Sequence, residues 1–285
     1  MLGKKVAITV DQTCDLSEEY LERFKINSIN SHVLLDGQDL KDGIDIDVDS
    51  MINIYREKKI LPKTAAINIV EYAKLFEPLV EQGFEVVHIN LSAALSNSYQ
   101  NCCIAAKQFE GVYAIDSKNL SSGMAVLAVN AAELAKDGMT GEEIRERVTA
   151  IIPKVNTSFV LDTLEFMSAG GRCSSIAALG ANLLRLKPSL NLNTEIGAIE
   201  VGKKYRGSLE KCIEQYIAEK LTGSGSLAGN RIFLTYTTIS GEILERAKKA
   251  IKKSSDFEEI IISRASCTIA SHCGSNTLGI IFEQK

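Results

Sequence analysis

Phe84-Glu85-Val86-Val87-His88-Ile89-Asn90-Leu91 runs directly into Ser92-Ala93-Ala94-Leu95-Ser96-Asn97-Ser98. The first stretch is almost continuously apolar. That is the pattern of a strand buried on both faces, and such strands belong to parallel sheets covered by helices on each side. The second stretch is a serine-rich loop, and a helix is expected from about Ser98. Strand, polar loop and helix in this order form the repeating unit of a doubly wound α/β domain.

The same alternation extends in both directions. Upstream, Lys5 to Val10 reads as a first strand, closed by Asp11-Gln12-Thr13-Cys14-Asp15, with a helix from Ser17. Asn27 to Leu35 is a second extended stretch, and Asp36-Gly37 and Asp42-Gly43 are turn signals. Asp49 or Ser50 is expected to cap a helix through Met51 to Lys59. A loop, Leu61 to Ala65, precedes a helix over Asn68 to Gln82 that contains Pro78 and stops at Gly83. Downstream, Val112 to Ile115 is a strand closed by Asp116-Ser117. A long apolar helix covers Ser122 to Lys136, and Thr140 with Glu143 makes a capping box for the next one.

The second half begins near Ser158 with a strand over Phe159 to Leu164, the turn Ser168-Ala169-Gly170-Gly171-Arg172, and a helix through Leu184. A hairpin is expected from Pro188 to Leu192 and Ala198 to Val201. A helix over Ser208 to Leu221 follows, then a Gly223-Ser224-Gly225-Ser226 link. Strands at Arg231 to Tyr236, Glu259 to Ser263 and Leu278 to Phe282, with a helix over Gly241 to Lys253, complete it. The expected fold is therefore α/β in two domains. Residues 1–157 form an N-terminal three-layer α/β/α domain with a mainly parallel sheet, and residues 158–285 form a C-terminal two-layer α/β domain with a mixed sheet.

Composition narrows the function. The chain has 285 residues, 45% of them hydrophobic and 24% charged, with a formal net charge of −4. A phosphate-reading surface needs a basic excess, so nucleic acid is not expected as a partner. Lys248, Lys249, Lys252 and Lys253 read as the solvated face of one helix. No apolar run reaches membrane-spanning length, and the N-terminal apolar stretch is too short for a signal peptide. The seven cysteines have neither disulfide-framework nor zinc-site spacing, so no metal is expected and a reducing cytoplasm is the expected setting.

Ligands in parallel α/β sheets bind beyond the carboxyl ends of the strands. That selects Asp11 to Asp15, Lys63 to Ala65, Ser92 to Ser98 and Asp116 to Ser122, loops rich in small hydroxyls that offer hydrogen bonds and little acid–base power. A helix N-terminus favours an anion, and Ser96 and Ser98 add hydroxyls there. The alternative is that one of them is only a helix cap. Thr64 reads equally as a turn residue. His272 lies in Ser271-His272-Cys273-Gly274-Ser275-Asn276, expected as a sharp turn between two strands, and is either structural or a ligand contact. Gly170-Gly171-Arg172 is a tight turn that presents an arginine, a residue suited to carboxylates and phosphates.

Together these segments resemble the DegV family of lipid-binding proteins over nearly the whole chain. The family's D-S-[ST]-x-D-L is matched by Asp11 to Leu16, its D-G turn by Asp42-Gly43, and its T-S-x-P loop by Thr64-Ala65-Ala66-Ile67. Its S-x-x-L-S-G-T-Y is matched by Ser92 to Tyr99, and its D-S strand end by Asp116-Ser117. G-G-R is intact at Gly170 to Arg172, K-x-R is matched by Lys204-Tyr205-Arg206, and the late H-x-G-P-G-x-x-G by His272 to Gly279. The departures are Gln12 for serine, Ala65 for the second hydroxyl of T-S, Asn97 for glycine, and Ser275-Asn276 for Pro-Gly. Asn97 and Asn276 are expected to keep their turns, because asparagine accommodates positive φ.

The resemblance implies a bacterial, non-enzymatic protein that holds one long-chain fatty acid in a buried tunnel and needs no cofactor. It places Thr64, Ser96 and His272 around the lipid carboxylate, and the N–H groups of Asn97 and Ser98 would join them. Some family members present the lipid to a separate fatty-acid kinase, which makes an acyl phosphate. In that setting Arg172 and Arg206 are implied in partner docking or phosphoryl transfer. Stable membrane insertion is not implied, and transient membrane contact is left open. The expected tunnel lining is Leu161, Leu164, Phe166, Ile176, Leu179, Leu183 and Leu186. Burying about 14 methylenes at roughly 0.8 kcal/mol each supplies on the order of 11 kcal/mol before association costs.

Two other classes are weighed beside this. One is a serine-dependent acyl hydrolase using Ser96 and His272, for which no G-x-S-x-G elbow exists. The other is a small-molecule kinase, suggested by the family's resemblance to dihydroxyacetone kinases, for which no P-loop exists.

Overall fold

The computed structural model describes residues 5–177, 186–223 and 227–285. Along the chain, β1 (Val6–Asp11) leads through α1 (Glu18–Phe24) to β2 (Ile26–Ile29), β3 (His32–Leu35) and β4 (Gln38–Lys41). Helix α2 (Val48–Lys58), β5 (Lys63–Ala65), α3 (Ile69–Glu81), β6 (Glu85–Asn90) and α4 (Ser98–Ala106) follow. Next come β7 (Val112–Asp116), α5 (Ser122–Lys136), α6 (Gly141–Ile151) and β8 (Val155–Val160). The remainder is α7 (Glu165–Gly170), α8 (Ser174–Ala177), β9 (Leu186–Asn193), β10 (Ala198–Arg206), α9 (Leu209–Gly223), β11 (Leu227–Tyr236), α10 (Gly241–Ser254), β12 (Glu259–Arg264), α11 (Cys267–Cys273) and β13 (Leu278–Gln284).

The N-terminal sheet has the order β2-β1-β6-β7 and is parallel throughout. The strand that opens the sequence reading, β6, lies inside it with neighbours on both sides. Its alternate residues feed two cores. Val87 and Ile89 join Met124, Leu127 and Ile144 of α5 and α6, whereas Val86 packs with Tyr72, Phe76 and Cys102 of α3 and α4. That is the three-layer arrangement the apolar run predicts.

The second sheet is mixed, in the order β10-β9-β8-β13-β11-β12, with β11 and β12 parallel and the other pairs antiparallel. Its outer face, with Val160, Ile232, Leu234 and Ile280, is covered by Ile213, Tyr216 and Ile251 of α9 and α10. Its inner face, with Phe159, Phe233 and Ile281, shares the core of α5. Helix α5 is thus clamped between the two sheets. Its residues from Ser122 to Val129 are all buried, along with Ala131 and Ala132. A helix apolar on every side must be buried on every side, and the unbroken Met-Ala-Val-Leu-Ala-Val run of α5 meets that condition. The domain boundary expected at residues 157 and 158 falls inside β8.

Several local expectations change. The strand expected over Phe159 to Leu164 runs Val155–Val160, and Ser168 to Gly170, expected as part of a turn, belong to the helix α7. The loop expected at Leu61 to Ala65 contains β5, an edge of a small antiparallel sheet ordered β4-β3-β5. Its three residues are too few to show a period, and pairing with β3 makes the strand. The N-cap of α2 is Asp47, whose side chain accepts the Ser50 N–H at 2.8 Å, rather than Asp49 or Ser50. His272 lies on α11 and not in a turn between strands.

Helix α11 is built by contacts from far along the chain. Asp42, buried just after β4, accepts the N–H of Cys267 at 2.9 Å and of Thr268 at 2.6 Å. Asp15 accepts the N–H of Ser266, the N-cap residue, at 2.8 Å. Carboxylates there satisfy the orphan donors of the first turn and complement the helix dipole. Asp42→Ala should therefore lower stability by about 2–4 kcal/mol, since buried N–H groups lose a charged acceptor. The urea midpoint reads this out, and an unchanged midpoint would mean α11 does not need the cap.

Candidate functional site

A cavity of about 280 Å³ opens at the carboxyl ends of β1 and β6, where the two sheets diverge around the start of α5. Binding clefts of parallel sheets form at this place. One end is polar. Thr64 comes from β5, Ser96, Asn97 and Ser98 from the turn into α4, His272 from α11, and Arg172 from the turn after α7. The structure brings these six expected residues to one cavity wall. Arg206 is exposed at the end of β10 and is not part of that wall.

Thr64 Oγ1 and His272 Nε2 share a hydrogen bond of 3.0 Å across 208 residues of sequence. The other ring nitrogen, Nδ1, is buried with no hydrogen-bond partner and lies against Gly170. A Cβ on Gly170 would stand 2.1 Å from Nδ1, so glycine there makes room for the imidazole. Gly171 takes φ +67° as the cap of α7, and Arg172 donates to Gly170 O at 2.6 Å. The G-G-R turn therefore has three separate roles: space, a left-handed cap and a cation at the cavity rim. Burial, helped by the Arg172 guanidinium, pushes the His272 pKa down to about 4. The imidazole is neutral at neutral pH, and Arg172 is the fixed positive charge on this wall.

The serine turn is itself held in place. Ser96 Oγ accepts the Ser98 N–H at 3.2 Å and lies 3.0 Å from Ser98 Oγ. Asp116 accepts the Ala93 N–H at 3.1 Å, and Ser92 Oγ donates to Gly197 O of the β9–β10 turn at 2.8 Å. Ser96 therefore takes the first N–H of α4 from one residue before the N-cap, Asn97, and it lines the cavity as well. Asn97 has φ −79° and is not in the left-handed region, whereas Asn276 takes φ +58°. The turn expectation holds for Asn276 alone. Gln12 points away from the cavity, accepting from Asn30 at 3.0 Å.

Beneath the polar end lies a network that the sequence reading passed over. Asp11, on the cavity wall and buried, accepts from Tyr72 OH at 2.6 Å and from the Leu91 N–H at 2.9 Å. His88 Nε2 lies 3.0 Å from the same carboxylate, and its Nδ1 is 2.8 Å from Thr9 Oγ1. His88 sits inside a run that reads as purely apolar. A histidine in a strand buried on both faces must find partners in its neighbours, and that was the available signal.

The same cavity wall also carries apolar side chains, Leu91, Leu95, Leu120, Phe159, Met167 and Ile199. None of the residues expected to line a tunnel is among those of the described wall. Leu161 and Ile176 are buried in the central core, with Leu164 packed against it. Phe166 packs edge-on to Tyr55 at 4.6 Å under the small sheet. Leu186 is partly buried at the start of β9, and Leu179 and Leu183 lie outside the described residues. His272 Nε2 is engaged by Thr64 and not by Ser96, so the Ser96–His272 pair that the hydrolase alternative requires is not formed. Among the described residues there is no metal-holding group of three or more His, Cys, Asp or Glu, and no helix long and apolar enough to cross a membrane.

The fold is a two-sheet α/β protein with a cleft whose wall is part polar and part apolar. Residues 5–285 match the family model described as an uncharacterised protein of the DegV family, and the chain belongs to that family. A DegV domain-containing protein of Caldanaerobacter subterraneus subsp. tengcongensis is 30% identical over 285 residues, covering 99% of this chain and 100% of its own length. The fold matches a DegV family protein from Thermus thermophilus with a TM-score of 0.89 at 24% identity, over 99% of this chain and 100% of that one. A protein from Thermotoga maritima, whose structure is described as revealing a fatty acid binding function, matches with a TM-score of 0.82 at 25% identity, again over 99% and 100%.

Two buried groups give the site a pH signature. His272, down at about 4 from 6.5, contributes stability that is full above pH 6.5 and is lost as pH falls through about 4. Asp15, between Ser121 and Ser266, runs the other way. Burial raises it from 3.8 to about 7, so its contribution is full below its unfolded value and is lost as pH rises through about 7. Asp15→Asn removes only the second effect. The stability of the native chain relative to this variant should rise as pH falls from about 8 to about 5, read as urea midpoints. A difference constant across that window would show that Asp15 ionises normally.

Proposed function

We propose that this protein binds one long-chain fatty acid, with the carboxylate at the polar end of the cavity and the acyl chain along its apolar wall. The observation that carries this reading is the Thr64–His272 hydrogen bond on the wall of a cavity that is otherwise lined in large part by apolar side chains. Binding of fatty acid by the Thermotoga maritima relative supports it.

A carboxylate in this position meets the Thr64 and Ser96 hydroxyls, the N–H groups at the start of α4 and the Arg172 guanidinium. A neutral imidazole that donates from Nε2 to Thr64 Oγ1 leaves the threonine proton free for a ligand oxygen. Apolar burial supplies most of the affinity, and the polar end sets the direction of the chain, because an unpaired buried carboxylate is costly. The protein acts as a carrier and not as a catalyst. Its bound carboxylate, at the rim beside Arg172, is positioned as the phosphoryl acceptor of a separate kinase. Arg172 is then the transfer or docking contact, and the exposed Arg206 serves in docking alone.

Native mass spectrometry of the purified protein should show one fatty acid per chain. His272→Ala and Thr64→Val should each weaken retention by about tenfold, the loss of one hydrogen bond to a charged group. A delipidated protein that takes up no fatty acid would overturn the reading. Variants that retain lipid as the native chain does would remove the pair from the site.

A further inference from the structure

Behind the polar cavity lies a second, smaller one of about 30 Å³. The two share Leu120, Phe159, Ile269 and Cys273, which stand between them as a girdle. Beyond the girdle stand Thr157, Thr235, Thr237 and Thr277, a set that reads as polar. Their hydroxyls are engaged within the protein. Thr157 donates to Asn119 Oδ1 at 2.7 Å, and Thr235 Oγ1 lies 2.6 Å from Ser122 Oγ. Thr277 donates to Cys273 O at 2.9 Å, and Thr237 Oγ1 accepts the Thr277 N–H at 3.1 Å. With three of these hydroxyls taken up within the protein and Thr237 accepting a backbone N–H, the end pocket offers a ligand little polarity.

Its floor is set by the strand register. Phe159 faces Gly279 across β8 and β13, and Gly279 faces Thr235 across β13 and β11. The three form one row on the inner face of the sheet. A Cβ on Gly279 would stand 3.0 Å from Phe159 Cβ and 2.8 Å from Ser158 O. Glycine is needed there because Phe159 Cβ and the Ser158 carbonyl already occupy the place of a side chain, and the shallow trough of the end pocket lies along this row of Phe159, Gly279 and Thr235.

We propose that the trough over Gly279 receives the methyl end of the bound acyl chain and that Phe159 sets how long a chain fits. The proposal rests on the fatty-acid reading above and adds the determinant of substrate length to it. A girdle of one aromatic ring admits a chain end only as far as the ring allows. Carbons that cannot pass it stay in water and contribute nothing to affinity.

The test uses the full chain, delipidated and offered an equimolar mixture of saturated fatty acids of about 12 to about 20 carbons. Native mass spectrometry then reads the retained lengths, each buried methylene being worth about fourfold in affinity. Phe159→Leu should move the retained distribution to longer chains by about two carbons. Ala265→Val adds bulk to the end pocket without removing a hydroxyl and should move it to shorter chains. If either folded variant binds with the native length distribution, or loses all lengths equally, the proposal is overturned while the fatty-acid reading stands. A native chain that retains no fatty acid of any length overturns both. Should Phe159→Leu fail to fold, as judged by its thermal transition, Ala265→Val decides the question alone.

Discussion

Helix α11 has seven residues, and a helix that short does not hold its shape in water. It exists because two buried carboxylates sit on its first turn. Asp42 spans the N–H groups of Cys267 and Thr268, and Asp15 takes that of Ser266. Both acids come from the first fifth of the chain, so the contact ties the N-terminal strands to the last helix. Asp15 also accepts from Ser121 at the start of α5, which places all three segments around one buried group. Desolvation raises the Asp15 pKa to about 7, and the neighbouring Asp42 adds to the rise. At the other end of α11, His272 is delivered to Thr64 on a strand 208 residues away.

The cavity follows from a second constraint, the burial of α5 between two sheets. One helix cannot fill the whole space between sheets that twist away from each other. The gap opens at the start of α5, where the carboxyl ends of β1 and β6 meet the inner face of the mixed sheet. Its polar residues come from β5, the turn into α4, the turn after α7 and α11, and its apolar ones from the loops after β6 and before α5 and from β8, α7 and β10. A molecule with one charged end and a long apolar body matches that division. The neutral state of His272 means that the positive charge at the rim belongs to Arg172, and that the imidazole works as a hydrogen-bond partner rather than as a counter-ion.

Much of this is legible in the sequence, and the reason is length. A buried strand such as β6, an apolar helix such as α5 and the capping box at Thr140 are local patterns that state their own environment. The helix expected near Ser98 begins there. The site residues Thr64, Ser96 and His272 were reached through family resemblance, because a lone hydroxyl or imidazole carries no local signal. Short elements were misread. β5 and α11 have too few residues for a period, and each is made by contacts remote in sequence. Asn97 was expected to need a positive φ that the turn does not use.

The sequence by itself determined the α/β layers, the hydroxyl-rich loops at the strand ends and the family to which the chain belongs, because these are written in runs of neighbouring residues. Only the tertiary structure decided which apolar side chains face the cleft. Leu161 and Phe159 are two positions apart, equally apolar and both in the central core, yet only Phe159 also lines the cavity. Only the fold, likewise, left a set of threonines with little polarity to offer a ligand, since a hydroxyl ceases to be polar to a ligand once a partner elsewhere in the chain has taken it.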